Sequence, residues 1–208
     1  MSKMKRNKLV IIGAGGHGRV VADIAKKSGA YREIVFLDDS DTPNEKVCVA
    51  GKVCESVKYL EDSDFFVAIG NNRVRADIQT RLEEQGANFA VLVHPNASIG
   101  DSVEIGKGSA VMAGAVINSC AKIGKGVVIN TCSSVDHDCV IDDFTHVSVG
   151  AHIAGTVRIG KKVFVCAGVT VINNVNVCDE CVIGAGAVVI SDVNEKGTYV
   201  GVPVHKNN

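Results

Sequence analysis

The chain has 208 residues, with 22 Lys and Arg against 23 Asp and Glu, and a formal net charge of -1 at pH 7. This length is enough to bury a core in one or two domains. The near-neutral charge gives no electrostatic reason to expect binding to nucleic acid or to an anionic membrane. The apolar run LVIIGAGG is too short and too rich in glycine for a signal peptide or a membrane span. We therefore expect a cytoplasmic protein with neither nucleic-acid nor membrane partners.

Residues 8–95 alternate between strand-like and helix-like runs. The predicted strands and helices, in chain order, are strand 8–13, helix 16–30, strand 33–39, strand 64–72, helix 73–86 and strand 88–95. The helices are expected to end at Gly29 and Gly86, and a polar loop containing Pro43 follows the second strand. This alternation predicts a small parallel sheet of about four strands.

The first strand-to-helix turn, GAGGHG, carries the spacing G-x-G-x-x-G at Gly13, Gly15 and Gly18. Asp38 and Asp39 follow the second strand, about twenty residues after the turn, which is where dinucleotide-binding folds carry an acidic residue. Glycines at such a turn allow backbone N–H groups to approach phosphate oxygens. That chemistry suits NAD and equally the diphosphate of a nucleotide sugar, and a tight turn without a ligand is a third interpretation.

From Ile99 onward, every sixth residue is aliphatic: all sixteen positions from Ile99 to Val189 hold Ile or Val. The residue four positions later is always small or apolar. This period predicts a parallel β-helix in which each hexapeptide forms one face and one corner, with the aliphatic side chain inside. With three faces per coil, residues eighteen apart stack, and a little over five coils span roughly 25 Å. A nucleotide sugar is preferred over NAD for the turn once this second part is considered.

Eight cysteines raise the question of disulfides or zinc. Cys178 and Cys181 make the only C-x-x-C pair, and a structural zinc site would need a second pair. Cys139 and Cys181 fall on the small inward position of the repeat. We therefore expect thiols that pack in the core, and no metal.

Three histidines fall on successive hexapeptides of about one coil, and their positions predict that all point outward, on different sides. His137 is flanked by Asp136 and Asp138 in SSVDHDC, whereas His146 and His152 are last in their hexapeptides. A zinc site made of all three could therefore not form within one chain. An imidazole beside a carboxylate is suited to accept a proton near neutral pH, and an ordinary solvated histidine is the alternative.

Five segments together carry a resemblance over essentially the whole chain: VIIGAGGHGRVVAD, FLDD, FVAIGNNRVR, VINTCSSVDHDCVIDDFTHVSVGAHIAG and YVGVPV. In this order they resemble the NeuD/PglD-type bacterial sugar acetyltransferases, which are hexapeptide-repeat acyltransferases, and within them the UDP-N-acetylbacillosamine N-acetyltransferases. The resemblance implies a small Rossmann-like nucleotide-sugar-binding domain at 1–95 and a left-handed parallel β-helix domain at 96–208.

The resemblance also implies an activity. It is the acetyl-CoA-dependent transfer of an acetyl group to the 4-amino group of a UDP-linked amino-dideoxy sugar, of the UDP-4-amino-4,6-dideoxy-N-acetylglucosamine type. Acetyl-CoA would be a co-substrate rather than a bound cofactor, and active sites would lie between the subunits of a homotrimer.

Family motifs assign roles to single positions. His137 would be the catalytic base and Asp138 its carboxylate partner, with Asp136 a candidate for the same task. The substrate-binding positions would be Gly16, His17, Gly18, Asp38, Asp39, Gly70, Asn71, Asn72 and Asn130. The acetyl-CoA-binding positions would be His146, Gly155, Gly168 and Gly184.

Other functions stay open on the sequence. The acceptor could be a hydroxyl of sialic acid or of another sugar, or the amine of GDP-linked perosamine. A non-catalytic nucleotide-sugar-binding scaffold is the alternative from a different class. A zinc hydratase with its metal at a trimer interface is the remaining one.

Overall fold

The computed structural model describes residues 7–40 and 46–207. The chain divides into two compact units, Met1–Pro95 and Asn96–Asn208. Pro43, in the predicted polar loop, lies outside the described residues. No helix in the described ranges is long and apolar enough to cross a membrane.

The N-terminal unit is built from alternating strands and helices. They are β1 (Lys8–Ile12), α1 (Gly16–Ser28), β2 (Glu33–Leu37), β3 (Val49–Gly51), a 3₁₀ helix (Val53–Tyr59), β4 (Ser63–Val67), α2 (Asn72–Glu84), β5 (Asn88–Phe89) and β6 (Leu92–Val93). Strands β1 to β5 form a parallel sheet in the order β3-β2-β1-β4-β5. A core cluster packs one face of the sheet against side chains from α2 and the 3₁₀ helix: Val10, Ile12, Leu37, Val53, Phe65, Val67, Leu82 and Phe89.

The predicted helix ends are confirmed, because Gly29 caps α1 in the left-handed conformation and Gly86 also has a positive φ. The predicted strand 64–72 is too long. It ends at Val67, and Asn71 caps α2 by accepting hydrogen bonds from the backbone N–H groups of Arg73 and Val74. The predicted strand 88–95 is divided into β5 and β6, and β3 was not predicted because it is only three residues long.

The C-terminal unit contains one two-residue strand per hexapeptide. They are β7 (Ser98–Ile99), β8 (Glu104–Ile105), β9 (Ala110–Val111), β10 (Val116–Ile117), β11 (Lys122–Ile123), β12 (Val128–Ile129), β13 (Ser134–Val135), β14 (Val140–Ile141), β15 (His146–Val147), β16 (His152–Ile153), β17 (Arg158–Ile159), β18 (Phe164–Val165), β19 (Thr170–Val171), β20 (Asn176–Val177), β21 (Val182–Ile183) and β22 (Val188–Val189). Two longer strands follow, β23 (Thr198–Val200) and β24 (His205–Asn207).

These strands stack into three parallel faces. The first face holds β7, β10, β13, β16, β19 and β22, and the second holds β8, β11, β14, β17 and β20. The third holds β9, β12, β15, β18 and β21, to which β23 adds in parallel and β24 in antiparallel orientation. Ile117 is in register with Ile99 on one side and Val135 on the other, so the predicted eighteen-residue stacking is confirmed.

The aliphatic column fills the interior, as the period predicts. From Val111 to Val189 each of these residues is buried, whereas Ile99, in the first coil of the unit, is 37% exposed. Cys139 and Cys181 are fully buried at the small inward position. Their predicted packing role is confirmed, and Cys139 Sγ donates to the carbonyl of Ala154.

Each corner places one residue in the left-handed conformation. The third residue after the aliphatic position has positive φ in every hexapeptide from Ile99 to Ile183, and at nine of these corners it is not glycine. Asp138 is one of the nine, with φ 58°, and Asp tolerates this conformation better than most residues. The corner therefore sets the direction of the Asp138 side chain, directly beside His137.

Candidate active site

A cleft of about 500 Å³ opens at the carboxyl ends of β1, β2 and β4 in the N-terminal unit. Its lining comes from the turns after these strands and from apolar side chains: Ile12, Gly13, Gly15, Gly16, His17, Asp38, Asp39, Val53, Ala68, Ile69, Gly70, Val74 and Ile78. β1 lies between β2 and β4 in the sheet, so the cleft sits where the strand order reverses. Open α/β sheets bind their ligands at this point.

The glycines of the first turn have two different tasks. A Cβ on Gly13 would lie 2.9 Å from the carbonyl oxygen of Ala68, and one on Gly18 would lie 2.0 Å from that of Gly13. These two glycines therefore allow β1, β4 and α1 to approach closely. Gly15 and Gly16 instead face open space in the cleft. Gly18, predicted to bind substrate, is buried in α1 and does not line the cleft.

Replacing Gly18 by Ala is expected to lower the free energy of unfolding by about 1–3 kcal/mol, since the new methyl group would overlap the Gly13 backbone. Gly15→Ala is the matched control: no heavy atom lies within 4 Å of its Cβ position, and we expect little change. Urea denaturation of both variants measures the difference. Equal stability of the two would contradict the packing role of Gly18.

Two basic side chains lie close together at the cleft: His17, which is half-buried and lines it, and Arg75, which is buried behind it. Burial lowers the pKa of His17 to about 4, with the positive charge of Arg75 as the second cause, so His17 is neutral at physiological pH. Arg75 has no exposed surface; its Nη1 donates to the carbonyl oxygens of Ile69 and Gly70 at 2.9 Å and 3.2 Å. Arg75 thus fixes the chain that follows β4 along the wall of the cleft.

The predicted GNN motif contributes one residue to the cleft. Gly70 lines it, whereas Asn71 caps α2 and Asn72 is buried, accepting a 2.8 Å hydrogen bond from Arg75 Nη2. Asn71 and Asn72 therefore shape the cleft through the helix start rather than by lining it.

Two carboxylates lie at the end of β2, and backbone N–H groups orient both. Asp38 accepts from the N–H of Ala14 at 2.6 Å and from that of Ser40 at 2.8 Å. Asp39 accepts from the N–H of Val53 at 2.8 Å. Both line the cleft, and Asp38 ties the end of β2 directly to the glycine turn.

In the C-terminal unit, His137 lies at the corner between β13 and β14. Its Nδ1 is 2.8 Å from Asp138 Oδ2, and in the tautomer with the proton on Nδ1 the ring donates this hydrogen bond. The two side chains are 59% and 55% exposed. The hydrogen bond to Asp138, followed by the negative charge of Asp136, raises the pKa of His137 above its ordinary value.

Asp136 contacts the histidine differently. Its Oδ1 accepts from the backbone N–H of His137 at 2.7 Å and from Asn118 Nδ2 at 2.7 Å. Asp138 therefore contacts the ring, and Asp136 contacts the backbone that carries it.

Gly155 lies eighteen residues after His137, at the same corner one coil on. A Cβ at Gly155 would be 2.6 Å from His137 Nε2 and 2.8 Å from Cε1. The ring thus occupies the space that a side chain at this position would need. With Nδ1 directed to Asp138, the other ring nitrogen lies over Gly155.

Asn130 and His146 meet on the third face. Asn130 Nδ2 is 3.0 Å from His146 Nε2, and the imidazole packs on the ring of Phe164 at a centroid distance of 5.1 Å. His146 is only 8% exposed, because Phe164 on the adjacent strand covers it. His146 precedes the inward Val147 in β15 and so points outward, but that direction does not make it exposed, whereas His152 is exposed.

The remaining predicted positions lie on later coils. Gly168 occupies a left-handed corner, φ 68°, next to Gly186. A Cβ at Gly184 would be 2.8 Å from Val200 Cγ1, so Gly184 makes room for packing within the chain. Within the described ranges, no group of three or more His, Cys, Asp or Glu side chains is arranged to hold a metal ion.

Sequence reasoning missed Asn118, Arg75 and Phe164 as parts of these clusters. Two of them carry a signal in the eighteen-residue spacing, because Asn118 lies eighteen before Asp136 and Phe164 lies eighteen after His146. Arg75 carries none, since its burial depends on the path of the chain after β4.

Comparison with known proteins identifies the family. Residues 8–82 match the model of the PglD N-terminal domain. The acetyltransferase domain of PglB from Neisseria gonorrhoeae FA1090, in complex with acetyl coenzyme A, is 40% identical with a TM-score of 0.92, covering 97% of this chain and 100% of that one. PerB from Caulobacter crescentus, in complex with CoA and GDP-perosamine, is 33% identical with a TM-score of 0.91, and 97% of each chain is covered.

A curated relative extends the comparison. UDP-N-acetylbacillosamine N-acetyltransferase of Bacillus subtilis (strain 168) is 34% identical over 110 residues, 50% of this chain and 51% of that protein. The match thus spans about half the length of this relative. With its small Rossmann-like sheet and left-handed parallel β-helix, the chain belongs to the NeuD/PglD family of bacterial sugar acetyltransferases.

Proposed function

We propose that this chain transfers the acetyl group of acetyl-CoA to the 4-amino group of a UDP-linked amino-dideoxy sugar. The observation that carries the proposal is the His137–Asp138 pair, with Nδ1 bonded to the carboxylate and Nε2 over Gly155. The relatives support the two substrates: the PglB domain binds acetyl coenzyme A, and the Bacillus protein is named for a UDP-linked amino sugar.

In the proposed reaction His137 acts as a general base. The neutral amine attacks the thioester carbon, the N–C bond forms, and the amine proton passes to Nε2. The C–S bond then breaks, the thiolate of CoA leaves, and the imidazolium returns the proton to it. Asp138 holds the tautomer with Nδ1 protonated and stabilises the imidazolium, and general base catalysis supplies about 10²–10⁴-fold. The backbone N–H of Gly155, beside the ring, is the proposed donor to the thioester oxygen.

The cleft of the N-terminal unit is the proposed site for the nucleotide sugar. Gly15 caps α1 and Gly16 begins it, at a helix N-terminus where backbone N–H groups and the helix dipole favour the charge of a diphosphate. His17 is neutral there and is proposed to act as a hydrogen-bonding group rather than as a counter-ion. We also propose that the reaction takes place in the cytoplasm, which supplies both acetyl-CoA and nucleotide sugars.

A homotrimer with active sites between subunits is the second part of the proposal. His137 follows β13 of the first face, whereas His146 and its partner Asn130 belong to the third face. If both histidines serve one site, they must come from different subunits.

Mixed oligomers test this arrangement. His137→Ala and His146→Ala, each expected to be very slow alone, should regain a substantial part of the activity when the two chains are co-expressed and purified through different tags. Some interfaces then pair two intact histidines. The double variant is the control and should stay inactive. Mixed oligomers without activity would contradict the intersubunit site.

A GDP-linked amino sugar is the second candidate acceptor, because PerB in complex with GDP-perosamine is similar over 97% of the chain. Mass spectrometry after incubation with acetyl-CoA and either UDP-4-amino-4,6-dideoxy-N-acetylglucosamine or GDP-perosamine separates the two. Acetylated UDP sugar supports the main proposal, and acetylated GDP-perosamine alone replaces it. Tight nucleotide binding without any product would indicate a non-catalytic scaffold.

A further inference from the structure

We propose that Asn118 is a positioning residue for His137, acting through Asp136 from the preceding coil. The inference rests on the proposed role of His137 as the base. It adds a residue that contacts neither the imidazole nor, in our account, either substrate.

The geometry forms a short chain of hydrogen bonds across two coils. Asn118 Nδ2 donates to Asp136 Oδ1 at 2.7 Å, and the backbone N–H of His137 donates to the same oxygen at 2.7 Å. One carboxylate oxygen thus joins the preceding coil to the peptide group that carries the imidazole. Asp138 orients the ring about its side-chain torsions, and Asn118 with Asp136 orients the backbone to which that side chain is attached.

The same contact favours the ionised form of Asp136. The hydrogen bond from Asn118 is the largest cause that lowers the pKa of Asp136, followed by the bond from the His137 backbone. Asp136, which is ionised near neutral pH at its ordinary pKa, is thus held in the same form at lower pH as well. An ionised acceptor makes both hydrogen bonds stronger than a neutral one would.

The pair is placed for orientation rather than for core packing. Asn118 is exposed on the outside of the β-helix, directly after the buried Ile117, and its backbone already continues the ladder by donating to the carbonyl of Val135. The fold contains a comparable inter-coil pair elsewhere. Asn176 Nδ2 lies 3.3 Å from both carboxylate oxygens of Asp192.

The test compares Asn118→Asp with Asn176→Asp. Each substitution keeps the side-chain shape, removes the N–H donor and sets a carboxylate against a carboxylate, which is repulsive. Asn118→Asp is expected to lower kcat about tenfold, because small displacements of a catalytic group are costly. The KM values for both substrates and the melting temperature should stay unchanged. Asn176→Asp should keep the wild-type kcat.

A second readout does not depend on turnover. NMR hydrogen exchange of the His137 amide should be faster in Asn118→Asp than in the wild type or in Asn176→Asp, because its acceptor Asp136 is no longer held. Unchanged exchange would overturn the positioning role even if the wild type showed no acetyl transfer. An unchanged kcat in an active enzyme would overturn it too, as would equal losses of kcat, substrate binding and melting temperature.

Discussion

His137→Ala is expected to lower kcat by roughly 10²–10⁴-fold while both substrates still bind. The imidazole is the proton acceptor in our account, and its removal leaves the amine to lose its proton to water. Substrate binding should survive, because the glycine turn and the carboxylates of the cleft belong to the N-terminal unit. Stability should also survive, since the side chain is 59% exposed at a corner of the β-helix.

The matched control is His152→Ala. His152 is also exposed, on β16 of the first face, where its Nδ1 lies 2.9 Å from Ser134 Oγ. Our proposal gives His152 no part in proton transfer, and we therefore expect the wild-type kcat for this variant. Rapid-quench measurement of acetyl transfer, with titration calorimetry for each substrate, separates catalysis from binding. Equal kcat for wild type and His137→Ala would show that this histidine is not the base.

Asp138→Asn is expected to lower kcat by roughly 10²-fold or more, because the ring loses the carboxylate that fixes its tautomer and stabilises the imidazolium. Asn keeps the size of the side chain and also tolerates the left-handed conformation of the corner. The fold should therefore be unaffected, and the loss should lie in catalysis.

The same variant has a distinct pH signature. The hydrogen bond that the His137 ring donates to Asp138 is the largest cause of the raised pKa of His137, so its removal moves that pKa down. A base must be neutral to accept a proton, and activity therefore rises as pH increases through the pKa. The acid limb of the kcat/KM profile should move to lower pH in Asp138→Asn, and the maximum value of kcat/KM should be lower than in the wild type.

Asp179→Asn serves as the control for this profile, because Asp179 lies at another corner, where it accepts a 2.8 Å hydrogen bond from the backbone N–H of Lys161. We expect its acid limb to coincide with that of the wild type. An acid limb of Asp138→Asn that stays in place or moves to higher pH would contradict the assigned partner.

The β-helix could be predicted from the sequence almost completely, because one strict period determines it. The aliphatic residues at spacing six face the interior of the β-helix, and those from Val111 to Val189 are buried accordingly. The N-terminal sheet was less predictable. Its strand β3 has only three residues and shows no hydrophobic period. The polar residues at the start of α2 were assigned to the preceding strand, because the sequence alone does not show that Asn71 caps the helix.

The sequence was sufficient to predict which residues belong to the site, but not which of them contact each other. The repeat predicts that Asp136, His137 and Asp138 lie near a corner, yet both carboxylates then have access to the histidine. Only the backbone conformation of the corner directs Asp138 to the ring and Asp136 to the peptide N–H. The burial of His146 depends likewise on the bulk of Phe164 one coil away.

The most direct measurement is the rate of acetyl transfer by His137→Ala with and without added imidazole. Our account predicts a very slow variant whose rate rises in proportion to the concentration of neutral imidazole, while the wild-type rate stays constant. Transfer at the wild-type rate by His137→Ala without imidazole would contradict it.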